Sequence, residues 1–158
     1  MPPLKWSEEV MAEKKFPLYL PIIMIIVVVL LCRNDLQSKE TEIAAYIVNN
    51  QDTLTTMASA ILDSGSETVP LIDGVNDVTC WNGADSCVAF QYYSIGFGDS
   101  VGTHYGFYYS PQDIPSAYGA QDIVLVSRDN GWSWTDEDNS SGYTKKIMDN
   151  WYYYETSY

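Results

Sequence analysis

Apolar and polar positions follow three different rhythms along this chain, and each rhythm specifies an element. From Phe16 to Cys32 the sequence FPLYLPIIMIIVVVLLC carries no charge, with Lys14-Lys15 before it and Arg33 after it. At about 1.5 Å per residue this run extends roughly 26 Å, near the short end of what crosses a hydrocarbon core of about 30 Å. It therefore predicts a transmembrane helix over 16–32, with the lipid bilayer as its partner. Lys5, Lys14 and Lys15 precede the run, while Arg33 and Lys39 follow it. That excess places residues 1–15 as a cytoplasmic tail and the C-terminal domain outside a single-pass cell membrane. The run ends Val29-Leu30-Leu31-Cys32, without a small-x-small cleavage site, so an uncleaved anchor is expected. Leu31 stands where a lipoprotein signal has a small residue, which argues against lipidation of Cys32.

Over 33–64 the period becomes helical. Ile43, Ile47, Leu54, Met57 and Ile61 recur at threes and fours around a polar Asn50, and Gly65 supplies a stop. The spacing predicts an amphipathic helix over Leu36–Leu62 whose first turns act as a stalk. Asn50 would suit a register-setting position in a short coiled coil. Beyond Gly65, over 65–158, apolar residues alternate as in strands. Strands are predicted near Val75–Trp81, Val88–Ile95, Thr103–Ser110, Asp122–Ser127, Gly131–Thr135 and Trp151–Glu155, separated by Gly-, Asn- and Asp-rich turns. Residues 143–150 read as a short helix or a turn. The short spacings favour antiparallel hairpins. The predicted fold is α+β: a transmembrane helix, then one long amphipathic helix packed on a four- to six-stranded antiparallel sheet.

Charge refines this division. Residues 33–158 hold 5 basic and 18 acidic residues, so the whole net charge of −13 lies after the apolar run. A nucleic-acid surface needs clustered Lys and Arg and is excluded. Thirteen Tyr, five Trp and four Phe argue against disorder. They place rings on both faces of several strands. One face packs on the helix, so the other is expected to present an outer aromatic surface around Tyr105, Tyr108, Trp132 and Trp151, suited to binding another protein or stacking on sugars.

The remaining chemistry is sparse. Cys80 and Cys87 would face each other if Gly83-Ala84 formed a two-residue turn, which makes them a candidate disulfide. Two thiols and the single His of the chain are too few for a zinc site. Gly98-Asp99-Ser100-Val101-Gly102 matches the G-x-S-x-G pattern of hydrolases, but the residues after it, from Thr103 through His104 to Tyr109, read as a strand rather than a helix. The match is read as a Gly-rich hairpin, and no enzymatic activity is expected. Asp136-Glu137-Asp138-Asn139-Ser140 is read as a solvated acidic turn. No metal and no cofactor is expected.

Three resemblances follow from these segments. The order of apolar helix, amphipathic helix and antiparallel sheet is similar to the architecture of type IV pilins and pseudopilins, without their N-terminal cleavage motif. Trp132-x-Trp134 followed by Trp151-Tyr152-Tyr153 resembles one copy of the choline- and glucan-binding repeats of Gram-positive surface proteins, which act as tandem arrays. Tyr105–Pro111 with Asp113 and Pro115, then Gly131-Trp132-Ser133-Trp134, then Asp149–Glu155 resemble segments of small single-pass membrane proteins of Gram-positive anaerobes, a group that implies no activity. The sequence thus points to an acidic, aromatic-rich, non-catalytic extracytoplasmic domain. Its first expected role is a protein-interaction module with a surface protein as partner. The alternative is a cell-wall glycan-binding module, and the third reading is a pilin-like structural subunit.

Overall fold

The structure, a computed structural model, describes residues 19–65, 72–81, 86–96, 102–118 and 123–158. Among the described residues the single helix, α1, runs unbroken from Tyr19 to Ser64, 46 residues. The expected division into a membrane span and a separate amphipathic helix is therefore not a division of the backbone. Residues 33–38 contain neither Pro nor Gly, so nothing interrupts the hydrogen-bond ladder there. Gly65 ends the helix at φ +59°, its N–H donating to the Ile61 carbonyl at 2.9 Å. Among the described residues no helix is long and apolar enough to cross a membrane, which overturns the predicted transmembrane helix. Residues 1–18, which include the expected cytoplasmic tail, lie outside the described residues.

Residues Gln37–Tyr158 form one compact unit and Met1–Leu36 another. The larger unit holds the second half of α1 and a sheet of seven antiparallel strands, more than the four to six predicted. They are β1 (Asp77–Trp81), β2 (Cys87–Gly96), β3 (Gly102–Tyr109), β4 (Val126–Arg128), β5 (Gly131–Thr135), β6 (Ser141–Met148) and β7 (Trp151–Ser157), in the order β1-β2-β3-β7-β6-β5-β4. Two meanders meet where β3 pairs with β7, Phe107 opposite Tyr153. The strand missing from the sequence reading is β6, where a short helix or turn was expected. Its consecutive lysines look helical but point to opposite faces. Lys145 reaches Glu40 of α1 at 2.5 Å, and Lys146 reaches Asp113 at 2.5 Å. A register shift between Lys146 and Met148 then blurs the alternation that would mark a strand.

On one face of the sheet, Ile43, Ile47, Leu54, Ala58 and Ile61 of α1 are buried with Val88, Phe90, Tyr105, Phe107, Trp151 and Tyr153. Trp151 anchors this layer. Its ring lies 5.8 Å from Phe107 and its indole N–H donates to Thr55 Oγ1 at 3.3 Å. Asn50 is exposed and donates to the Tyr46 carbonyl one turn back, so it is no buried register residue.

The second face is buried too. Cys87, Ala89, Tyr108, Tyr152 and Tyr154 form a second cluster, with Trp81, Tyr118 and Trp132 packed around it. Residues 110–118 lie against this face. The Tyr108 hydroxyl receives the Ser116 N–H at 2.8 Å, the Tyr152 hydroxyl donates to the Asp113 carbonyl at 2.8 Å, and the Tyr118 ring stacks on Tyr154 at 3.9 Å. Asp113 holds the segment in place. Its Oδ1 accepts the Asn150 N–H at 2.9 Å, while the Lys146 ammonium beside it keeps its carboxyl below the usual range.

The expected Cys80–Cys87 disulfide is not formed, and the register gives the reason. Trp81, not Cys80, stands opposite Cys87. One residue of offset sends neighbouring side chains to opposite faces. Cys80 accordingly packs against the helix-side core, while Cys87 is buried in the second cluster. Both are thiols.

Candidate functional site

The outer aromatic surface expected from the sequence is not a surface. Tyr105 is 5% exposed, Tyr108 0% and Trp151 1%. Only Trp132 is half-buried, at the margin of the second cluster. Tyr105 and Trp151 belong to the helix-side core and Tyr108 to the opposite one, so the four residues are not brought together.

The hydrolase-like motif gains no support as a dyad. Ser100 lies outside the described residues, and His104 on β3 has its Nδ1 3.1 Å from Ser94 Oγ on β2, its register partner. The acidic loop is a turn. Asp136 Oδ1 accepts the N–H groups of Asp138 at 3.0 Å and Ser140 at 2.8 Å, closing the connection between β5 and β6. Among the described residues no group of acidic, His or Cys side chains is arranged to hold a metal ion.

A cleft opens instead where residues 110–118 leave part of the second face uncovered. It has a volume of about 590 Å³ and is lined by Asn76, Asp77, Gln91, His104, Tyr118 and Tyr158. Four elements converge on it. Asp77 opens β1, Gln91 stands opposite it on β2, and His104 lies on β3 opposite Thr156 of β7. Gly106, opposite both Gln91 and Tyr154, leaves room for the Tyr154 ring to lie across the strand. A Cβ there would stand 2.7 Å from Tyr154 Cε1 and 2.2 Å from the Phe90 carbonyl oxygen. The glycine thus lets Tyr154 carry Tyr118 on its face, and Tyr118 forms one wall of the cleft.

Polar groups at this end of the sheet are incompletely satisfied. Among the described residues, His104 Nε2 and Thr156 Oγ1 are buried without a hydrogen-bond partner. Such groups each cost roughly 1–3 kcal/mol until something pairs with them. Tyr158 borders the cleft edge-on to His104, their ring centroids 5.7 Å apart, and it remains 42% exposed. Burial raises the pKa of Tyr118, with Asp77 adding to the effect. Burial likewise raises Tyr158, helped by Tyr118 and Asp136. Both phenols are therefore hydrogen-bond donors across the neutral range. Carboxylate, amide, imidazole and phenol groups at the rim of aromatic rings make an arrangement that binds hydroxylated rings by hydrogen bonds and apolar contact.

A second cleft of about 660 Å³ lies at the β5–β6 side, lined in part by Arg128, Trp134, Tyr143 and Glu155. Of its two aromatic residues Trp134 is 4% exposed and lies against Gly142, while Tyr143 is half-buried.

The sequence reading missed Asp77, Gln91, Tyr118 and Tyr158 as a group. They are far apart along the chain and carry no motif. The one local signal was Gly106 amid aromatics in Tyr105-Gly106-Phe107-Tyr108-Tyr109, which marks a close approach within a strand. No family model, curated protein or solved structure matches this chain.

Proposed function

We propose that residues 37–158 form a non-catalytic glycan-binding module whose recognition site is the cleft between Asp77, Gln91, His104, Tyr118 and Tyr158. The observation that supports this most is the composition of the cleft: a carboxylate and two amides beside two phenol rings and an imidazole ring. Sugars present hydroxyl pairs to carboxylates and amides, and apolar C–H faces to aromatic rings. Burial of Tyr105, Tyr108 and Trp151 removes the expected aromatic surface for proteins and sugars alike, and the glycan reading rests instead on the cleft, where phenol rings and polar groups stand together.

Pull-down of the full chain with insoluble peptidoglycan, chitin and cellulose tests the proposal. Retention by at least one polymer is expected, and the double variant Asp77→Ala/Gln91→Ala should release it. Equal retention of that variant, or no retention of the parent chain by any of them, would sink the idea.

A protein partner is the second reading. It rests on the edge strand β4 and the residues leading into it, where Val124 is 81% and Val126 60% exposed beside an open sheet edge. Cross-linking from a photoreactive group at position 126 would capture such a partner, and Val124→Asp in the same chain should abolish the capture.

A further inference from the structure

We infer that the saccharide taken by this cleft carries a protonated amine, as an amino sugar does, and that Asp77 is the group that selects it. This rests on the glycan reading above and adds the charge of the ligand. The Asp77 carboxylate is the one formally charged side chain among the lining residues, and no Lys or Arg stands with it. Its Oδ2 accepts the Thr79 hydroxyl at 3.3 Å, a neutral partner that leaves the charge uncompensated.

The field around it has the same sign. Asp77 acts on Tyr118 and on Tyr154, and Asp136 acts on Tyr158, in each case disfavouring a second negative charge. Among the described residues the cations are placed elsewhere. Lys145 is held by Glu40, Lys146 by Asp113 and Asp149, Lys39 sits over the Tyr105 ring at 4.7 Å, and Arg128 lines the other cleft. In a chain of net charge −13 the cleft is therefore a negative site without a positive member. Anionic sugars are repelled from it, neutral sugars gain only hydrogen bonds, and an ammonium gains a charge-assisted bond to Asp77. Phenols held in their protonated form donate to the remaining hydroxyl and ring oxygens, and their ring faces favour a cation at close range.

Isothermal titration of the full chain with two soluble tetramers, β-1,4-linked glucosamine and its fully N-acetylated counterpart, tests the inference at neutral pH. The glucosamine tetramer should bind about tenfold or more tightly than the acetylated one, the size of one charge-assisted hydrogen bond. Asp77→Asn, at an exposed strand end where folding is not at stake, should bring the two affinities together. Tyr158→Ala should weaken both alike. Equal affinities in the parent chain, or a preference that survives Asp77→Asn, would overturn the amine and leave the glycan site standing. Spermine serves as the control for bulk charge, having ammonium groups without a sugar ring. Spermine binding as tight as the glucosamine tetramer would also overturn the inference. Failure of both tetramers to bind would overturn the amine, and the polymer pull-down above then decides the glycan reading separately.

Discussion

Raising the pH should unfold this domain through its buried tyrosines. Tyr108, Tyr153 and Tyr154 are each no more than 2% exposed, two of them facing the second cluster and one the helix. Burial is the main cause that raises each phenol above its ordinary value of 10.0, and nearby groups such as Glu155 beside Tyr153 add to it. A phenol whose folded pKa exceeds its unfolded one holds its proton more tightly in the fold. Its contribution is fully present below pH 10 and is lost as the pH climbs from there toward the folded value. Within that window each such group removes about 1.4 kcal/mol of stability per pH unit, so the three together remove roughly 4 kcal/mol per unit. Domains of this size have about 5–15 kcal/mol to lose, which places unfolding roughly one to four units above pH 10. Far-ultraviolet circular dichroism and tyrosinate absorbance, followed together, should show the buried set ionising in the same steep transition in which the sheet melts. Urea midpoints at successive pH values give the slope directly. Tyr154→Phe keeps the ring stacked on Tyr118 and removes one titrating group, so it should lower that slope by about a third. Ionisation of all thirteen tyrosines along one curve near pH 10, with the dichroism unchanged, would refute the reasoning.

Four further outcomes are expected. Trp151→Ala, which empties the centre of the helix-side core, should cost about 3–5 kcal/mol in thermal or urea unfolding, against much less for the half-buried Trp132→Ala. Gly106→Ala sets a Cβ against the Phe90 carbonyl and the Tyr154 ring, and should cost about 1–3 kcal/mol or more in the same assay, a loss that Tyr154→Ala would partly relieve. Burial raises the Glu155 carboxyl from its value of 4.5, so the fold prefers it protonated; its stabilising effect is complete in acid and is lost as the pH rises through the folded value. Glu155→Gln should therefore raise the melting temperature at neutral pH and leave it unchanged in acid. Oxidant should not join Cys80 to Cys87 in the folded protein, whereas Val88→Cys in a Cys87→Ala background, opposite Cys80 on the same face, should cross-link; a native Cys80–Cys87 bridge by peptide mapping would show the register to be wrong.

These outcomes turn on features that differ in how far the sequence exposes them. The pattern of Ile43, Ile47, Leu54 and Ile61 marks a helix face because each residue is tied to the next by the helix's own geometry. Gly131–Thr135 is bounded by Asp129-Asn130 and the Asp136 turn, so its limits are local as well. The sheet's extent was not local. β6 hides behind Lys145-Lys146, whose acidic partners Glu40 and Asp113 come from α1 and from residues 110–118. The continuity of α1 through Arg33 was likewise obscured by a sharp change in composition, although charge does not interrupt a helix and proline or glycine does.

The candidate site escaped the sequence for a related reason. Counting aromatic positions assigns one face of a sheet to a helix and leaves the other to solvent, an inference that holds only if no loop covers it. Here residues 110–118 cover that face, and what ties them down is the Asp113 carboxylate together with the hydroxyls of Tyr108 and Tyr152. Tyrosine on a covered face differs from phenylalanine in carrying a hydroxyl that must find a partner, and these hydroxyls find theirs in the backbone of the covering segment. Tyr108, expected on an exposed binding surface, is therefore together with Tyr152 part of the means by which the loop is fastened. The proposed recognition site lies where the cover stops, beside Tyr118, with Asp77, Gln91 and His104 lining the same cleft.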